Sequence, residues 1–290
     1  MNVRLAKPLI FLLPALFFHL AVIVYPSIYT LYLSFFSWNG SINTAKVFVG
    51  LQNYVTLFTG DSVFYTALRN NFLWTTGSLV ATTVLGLSLA MIINYKLRGM
   101  IIFRGVFYFP YVLSGIVVSL MWSWMYHPEF GVFNEILRGI GFEPVEWLSN
   151  PKLALLSVFI ASTWHHVGAP MILFLAGLQS IPSDPYEAAK VEGANKLQVF
   201  IYVTVPMLRE TFVIVFATTL IGSMKVFDTI YAMTGGGPAQ STQVLASWMY
   251  YQTFQFHNLG VGSAISWILV ILVMAITIPY IMHMSKQSHV

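Results

Sequence analysis

The chain reads as an all-α membrane protein: six transmembrane helices with one polar, helix-forming interruption between the fourth and the fifth. Three observations carry that reading. Of 290 residues, 57% are hydrophobic and only 8% are charged, whereas a soluble domain carries roughly a quarter charged residues. Six apolar runs reach the roughly 20 residues that cross a hydrocarbon core. The long polar stretch 179–210 has helix start and stop signals of its own. The length fits one integrated transmembrane domain over 1–290. There is no cysteine, which removes disulfides, thiolate metal sites and cysteine nucleophiles from consideration.

The first run, Leu9 to Phe35, follows Arg4 and Lys7 and so begins like a signal peptide. It is too long for one, contains Pro14 and Pro26, and lacks a small-residue cleavage site, so it is expected to be a retained span. The segment Trp38 to Asn71 is too polar to span, and FVGLQNYVTLF within it predicts short interfacial pieces. The second and third spans are expected at 72–95 and 106–125. Trp122, Trp124 and Tyr126 at the end of the third look like an interfacial aromatic belt. The loop 127–152 carries Glu129, Glu135, Glu143 and Glu146, scattered without calcium-loop spacing, and is expected to be a solvated face. The fourth span is expected at 153–178, the fifth at 212–233 and the sixth at 261–284. Between the last two, Gly235, Gly236, Gly237 and Pro238 predict a sharp turn. No GK[ST] follows, so the run is not a phosphate loop.

Orientation follows from basic residues. With the N-terminus in the cytosol, Arg4, Lys7, Lys96, Arg98, Arg104, Lys190, Lys196, Arg209 and Lys286 fall inside. Lys46, Arg69, Arg138 and Lys152 fall outside. This asymmetry satisfies the positive-inside rule, and six spans bring both termini to the cytosol. The net charge of +4 is then loop bias and needs no nucleic acid to explain it.

The interruption becomes cytoplasmic. Asp184 is placed as an N-cap, Pro185 as the first helical residue and Glu187 as the returning partner of a capping box. Gly193 suits the left-handed residue that ends a helix. A second helix is expected from about Lys196 to Val203, before Pro206. A helix of this length cannot span. Ala188 and Ala189 leave room for close approach of another surface. An ordinary intracellular loop and a docking element for a cytosolic partner both remain open on these residues alone.

The stretch EAAKVEGANKLQVFIYVTVP resembles the EAA loop of permease subunits in ATP-driven, binding-protein-dependent ABC importers, with Glu187, Ala188, Ala189, Gly193, Ala194 and Pro206 in the motif positions. LQSIPSDPYEAA, FVGLQNYVTLF, FRGVFYFPYVLSG and KVFDTIYAMTGGGP extend the resemblance over nearly the whole chain. They point to the carbohydrate branch, and within it to the maltose-type first permease subunit. Unlike the longest members, the chain shows no extra N-terminal helices and no large external insertion. The resemblance implies the type I ABC importer permease fold in a bacterial plasma (inner) membrane. It implies a heterodimer with a second permease subunit, two copies of a cytosolic ABC ATPase that grip the EAA helices, and an extracytoplasmic solute-binding protein that delivers a sugar. Glu187 would help fix the helix in the ATPase cleft, and Gly193 would supply the bend. ATP and Mg would be bound by the partner ATPase. This chain has no Walker motif, so no catalytic residue and no cofactor of its own are expected.

Charged residues inside a span mark function by default. Lys225 and Asp228, three apart in the fifth span, are expected to share a helix face. They are read either as a neutralised pair or as polar contacts for sugar hydroxyls. Ser223 and Gly222 lie beside them, and in the resembling subunits this region lines the substrate cavity. Trp164, Gly168 and Met171 fall on one face of the fourth span; sugar stacking and plain helix packing both remain open there. His165 and His166 point about 100° apart and are expected to pack or hydrogen-bond rather than chelate one metal. Three alternatives carry distinct expectations. Lys225 suits an anionic substrate, so a sugar-phosphate or glycerophosphodiester importer of the same architecture stands open. A solitary ion-coupled carrier should show coupling carboxylates, of which only Asp228 is present, close to a lysine, and paired inverted repeats with broken helices, which are not visible in the sequence. An intramembrane enzyme should show a catalytic motif, and none is present.

Overall fold

The computed structural model describes residues 12–94 and 99–287. Arg4, Lys7, Lys96, Arg98 and the start of the first expected span lie outside the described residues. The elements in order are α1 (Leu12–Ser34), β1 (Phe36–Ser37), β2 (Val47–Phe48), α2 (Gln52–Gly60), α3 (Ser62–Asn94), α4 (Met100–Val112), α5 (Gly115–Met125), α6 (Val132–Gly139), α7 (Ala154–His166), α8 (Gly168–Ser180), α9 (Asp184–Val191), α10 (Lys196–Met207), α11 (Arg209–Met224), α12 (Asp228–Thr234), α13 (Leu245–Tyr250) and α14 (Leu259–Gln287). The chain divides into two compact units, residues 1–65 with 248–271 and residues 66–247 with 272–290.

In the first unit β1 and β2 pair antiparallel, Phe36 opposite Phe48. The buried Asn53 amide donates to Ser34 O at 2.8 Å, a carbonyl that the end of α1 leaves free, and to Phe36 O of β1 at 3.0 Å. A Cβ on Gly260 would stand 1.9 Å from Phe36 O, so only glycine lets α14 start this close to β1. Asp61 caps α3 by accepting Phe64 N–H at 2.9 Å, and its other oxygen accepts Trp248 Nε1–H at 2.8 Å. That cap starts α3 ten residues before the expected span at 72, because the polar turn 62–71 is helical without being apolar.

The second unit holds two apolar layers. One gathers Trp74, Val118, Trp122, Tyr126, Val158, Ala161 and Ile230. The other gathers Leu87, Ala90, Met171, Phe174, Leu178, Leu208 and Val215. The aromatic belt expected at the end of α5 is therefore corrected: Trp122 and Tyr126 are buried in the first layer and only Trp124, 73% exposed, faces outward. Tyr126 donates its hydroxyl to Ser157 O at 3.0 Å.

Among the described residues, three helices are long and apolar enough to cross a membrane: Leu12–Ser34, Ser62–Asn94 and Leu259–Met282. Three further candidates are bent pairs, which bring the number to six if each is one span. The expected straight third span is α4 and α5, turned by 98°. The expected fourth is α7 and α8, bent by 42°. The third pair is α10 and α11, bent by 68°, and the expected fifth span breaks again where α11 ends at Met224 and α12 starts at Asp228. Proline explains the second break. Pro170 lacks an N–H for the His166 carbonyl and crowds it, so the ladder yields at Val167. The first break follows Pro110, where Leu113 (ψ 155°) and Ser114 (ψ 133°) leave the helical region for an extended step.

Candidate functional site

The breaks meet at one cavity of about 520 Å³ in the second unit. Its position follows from the layering of three helical paths. Along α3, Trp74 lies in one apolar layer, Ser78 and Thr82 face the cavity, and Leu87 and Ala90 lie in the other layer. From α7 into α8, Val158 and Ala161 precede the cavity residues Ser162, Thr163, His165 and His166, and Met171 and Phe174 follow. From α11 into α12, Val215 precedes Thr218, Thr219, Ser223, Lys225 and Asp228, and Ile230 follows. Each path carries its polar residues at the same level, between two greasy ones. Irregular backbone within a membrane protein is tolerated where it lines such a cavity.

The broken ends supply side chains and are themselves satisfied. His165 Nε2 lies 3.2 Å from Leu113 O, the carbonyl released at the α4–α5 turn. A carbonyl only accepts, so Nε2 carries the proton and Nδ1 is left as the acceptor. His166 Nδ1 lies 2.8 Å from Ser162 O, so by the same argument Nδ1 is the donor there. Gly115 opens this corner: a Cβ there would lie 3.7 Å from both His165 Cε1 and Asp228 Cβ. Asn71 holds the α11–α12 break, donating to Met224 O at 3.0 Å and accepting Leu245 N–H at 3.0 Å.

Of the residues singled out from the sequence, Ser223, Lys225 and Asp228 line the cavity, with Gly222. Lys225 and Asp228 do not share a helix face, however. Lys225 is the residue after α11 and Asp228 the first of α12, with two non-helical residues between them. They form no ion pair; among the described residues the pair is Glu135 with Arg138. Trp164, Gly168 and Met171 do not line the cavity, because the helix breaks at Val167 between the first and the other two. Trp164 packs against Trp122 at 5.7 Å. Gly168 lies under α4, where a Cβ would meet Phe107 O at 2.6 Å, and Met171 is fully buried. Sequence reading missed Ser78, Thr82, Ser162, Thr163, Thr218 and Thr219. Their signal was present as hydroxyl residues at mid-span, but single hydroxyls barely lower an apolar run.

The polar interruption forms α9 and α10. Gly193 takes φ +78°. Gly193 N–H bonds Lys190 O at 3.1 Å and Ala194 N–H bonds Ala189 O at 2.9 Å, the paired C-terminal bonds of a Schellman motif. The expected capping box at Asp184 and Glu187 does not form. Ser183 is itself helical in φ and ψ, so Asp184 falls inside the helix. The box forms one helix later, where Asn195 Oδ1 accepts Gln198 N–H at 2.9 Å and Gln198 Oε1 accepts Asn195 N–H at 2.8 Å. Pro206 does not end α10 either. A π-turn over Phe200–Thr204, closed by Val205 N–H to Phe200 O, carries the helix past it to Met207. Tyr186 OH lies 3.3 Å from Thr204 Oγ1 and ties α9 to α10. Glu187, Ala188 and Gly193 are exposed, Ala189 and Ala194 half-buried.

A family model described as "Binding-protein-dependent transport system inner membrane component" matches residues 82–285. The chain belongs to that family. This transport component is 38% identical over 275 residues to a probable ABC transporter permease of Bacillus subtilis, covering 93% of each chain. It is 36% identical over 237 residues to a trehalose/maltose transport system permease of Thermococcus litoralis, covering 81% of this chain and 79% of that one. Its fold matches a crystal structure of a bacterial ABC transporter involved in the import of the acidic polysaccharide alginate, with a TM-score of 0.85 at 22% identity over 98% of this chain and 96% of that one. It is a multi-pass inner-membrane protein with the type I ABC importer permease fold. The broken helices, which the sequence did not reveal, belong to this fold and lend no weight to a solitary carrier.

Proposed function

We propose that this chain is the permease subunit of an ATP-driven importer and that its cavity passes a neutral sugar or oligosaccharide across the membrane. The cavity chemistry carries this reading. Its volume lies within the range of small-molecule sites. Hydroxyls that both donate and accept match a polyol, and the ring of Trp74 offers a surface for the apolar face of a pyranose. Lys225 and Asp228 sum to zero charge. Sugar-transporting relatives such as the trehalose/maltose permease support the same class.

In this reading α9 seats in a cleft of a cytosolic ABC ATPase, with Glu187 fixing it and Ala188 and Ala189 allowing close approach, while Gly193 and Ala194 set the turn to α10. Two ATPase copies, a second permease subunit and an extracytoplasmic binding protein complete the transporter. ATP and Mg stay on the ATPase, and both termini face the cytosol. ATP binding would draw the coupling helices together and turn the cavity outward.

The test is to extract the tagged chain in mild detergent, identify what copurifies, and measure ATP-dependent uptake by the reconstituted complex. Copurification of a second permease and an ATPase, with neutral sugars competing best, is the expected result. Stronger competition by phosphorylated sugars would replace the substrate class. Transport by the chain alone without ATP would overturn the proposal.

A further inference from the structure

We infer that α6 and the residues flanking it form a membrane-interface anchor, with one aliphatic stripe sunk into the bilayer surface beside the end of α5. This rests on family membership and on the geometry of residues 115–147, not on the identity of the substrate.

At 100° per residue, α6 divides into three sectors. Phe133, Asn134 and Leu137 face the protein. Phe133 meets Trp122 at 5.6 Å and Tyr126 at 5.2 Å. Asn134 is fully buried and saturated: its Oδ1 accepts Val145 N–H and Trp147 Nε1–H, and its Nδ2 donates to Val145 O at 3.0 Å. Glu135 and Arg138 form the polar sector, and Arg138 also donates to Glu129 O at 2.6 Å and Pro128 O at 3.0 Å. The third sector is Val132 and Ile136, continued by Ile140 just past the end of the helix, 53%, 57% and 64% exposed, within an arc of about 80°.

A helix that only packed on the protein and faced water would have two sectors. The third is an aliphatic stripe exposed on a helix whose rotation is fixed by Asn134 and Arg138. Its occupant follows from what it continues. On α5, Ile116, Val117, Leu120 and Trp124 are 52–73% exposed and share an arc of about 100°, the lipid-facing side of a membrane segment. Trp124, a residue type that favours the bilayer interface, stands one residue before the end of α5, and the chain reaches Val132 seven residues after Met125. At eight residues α6 is far too short to span. A short helix with an aliphatic stripe beside a charged one lies in the interface plane. Exposed Phe130 and Phe142 flank the stripe.

The chain has no cysteine, so single nitroxide labels at Glu135→Cys, Ile136→Cys and Ile140→Cys in the complex reconstituted into phosphatidylcholine–phosphatidylglycerol vesicles report the surroundings. The ratio of collision rates with oxygen to those with a water-soluble nickel chelate is expected to be several-fold higher at 136 and 140 than at 135. Equal ratios at the three positions would show a solvated helix and overturn the proposal. Low access of both reagents at 136 and 140 would show a protein partner on the stripe and overturn it equally. If one label disturbs the loop, the other aliphatic position decides.

Discussion

Asn71 donates its side-chain N–H to the carbonyl of Met224 at 3.0 Å, across 153 positions of sequence. Its oxygen accepts the Leu245 amide, and the residue is 1% exposed. One amide therefore ties α3, the end of α11 and the start of α13 at the break that presents Lys225 to the cavity. Asn71→Leu would leave a buried carbonyl and a buried N–H unpaired, each costing about 1–3 kcal/mol. The expected result is a lower unfolding temperature of the purified complex and a raised KM for uptake. Asn71→Asp keeps the shape and the acceptor but sets a carboxyl oxygen against the Met224 carbonyl and buries a charge, so it should be at least as damaging as Leu. A wild-type KM in both variants would separate this contact from the cavity.

Lys225 and Asp228 act independently if they do not pair. Lys225→Met and Asp228→Asn should each weaken uptake, by about 1.5–3 kcal/mol or roughly 10- to 150-fold in kcat/KM if each holds a charge-assisted hydrogen bond to substrate. The double variant should be near the sum. Recovery in the double variant would mean that mutual neutralisation was their role.

Gly168→Val tests the reassignment of the fourth span. Its side chain would enter the α4 backbone, an overpacking of about 1–3 kcal/mol or more, so membrane levels should fall. Trp164→Phe should leave the substrate KM unchanged, because Trp164 lies off the cavity. A changed KM at Trp164 would restore it to the substrate site.

At Gly193 no atom lies within 4 Å of where a Cβ would be, so the requirement for glycine is conformational alone. Gly193→Asn should be tolerated, because asparagine adopts the left-handed region. Gly193→Val should cost about 1–2 kcal/mol and lower copurification of the ATPase. Glu187→Ala should abolish uptake while leaving the subunit in the membrane. Wild-type uptake in Glu187→Ala would remove this helix from the coupling role.

The short helix over Asp184–Val191 and the turn at Gly193 were legible because they depend on neighbours within about ten residues. The polar residues at Lys225 and Asp228 stood out against their apolar setting. The capping box was misplaced by one helix: Asp184 and Asn195 both have a suitable side chain three residues before a Glu or Gln, and only the backbone angles, helical at Ser183 and extended at Asn195, show that the box forms at Asn195.

The sequence by itself determined that this chain lives in a membrane, roughly where it crosses, and which short helix stands apart from the crossings. Those are sums of local transfer free energies and local backbone preferences. Only the tertiary structure decided which side chains face the cavity. Whether His165 looks inward and Trp164 outward depends on breaks at Leu113, Val167 and Lys225, and on α4 resting against Gly168. These contacts join residues tens of positions apart, and an average over neighbours in sequence carries no trace of them.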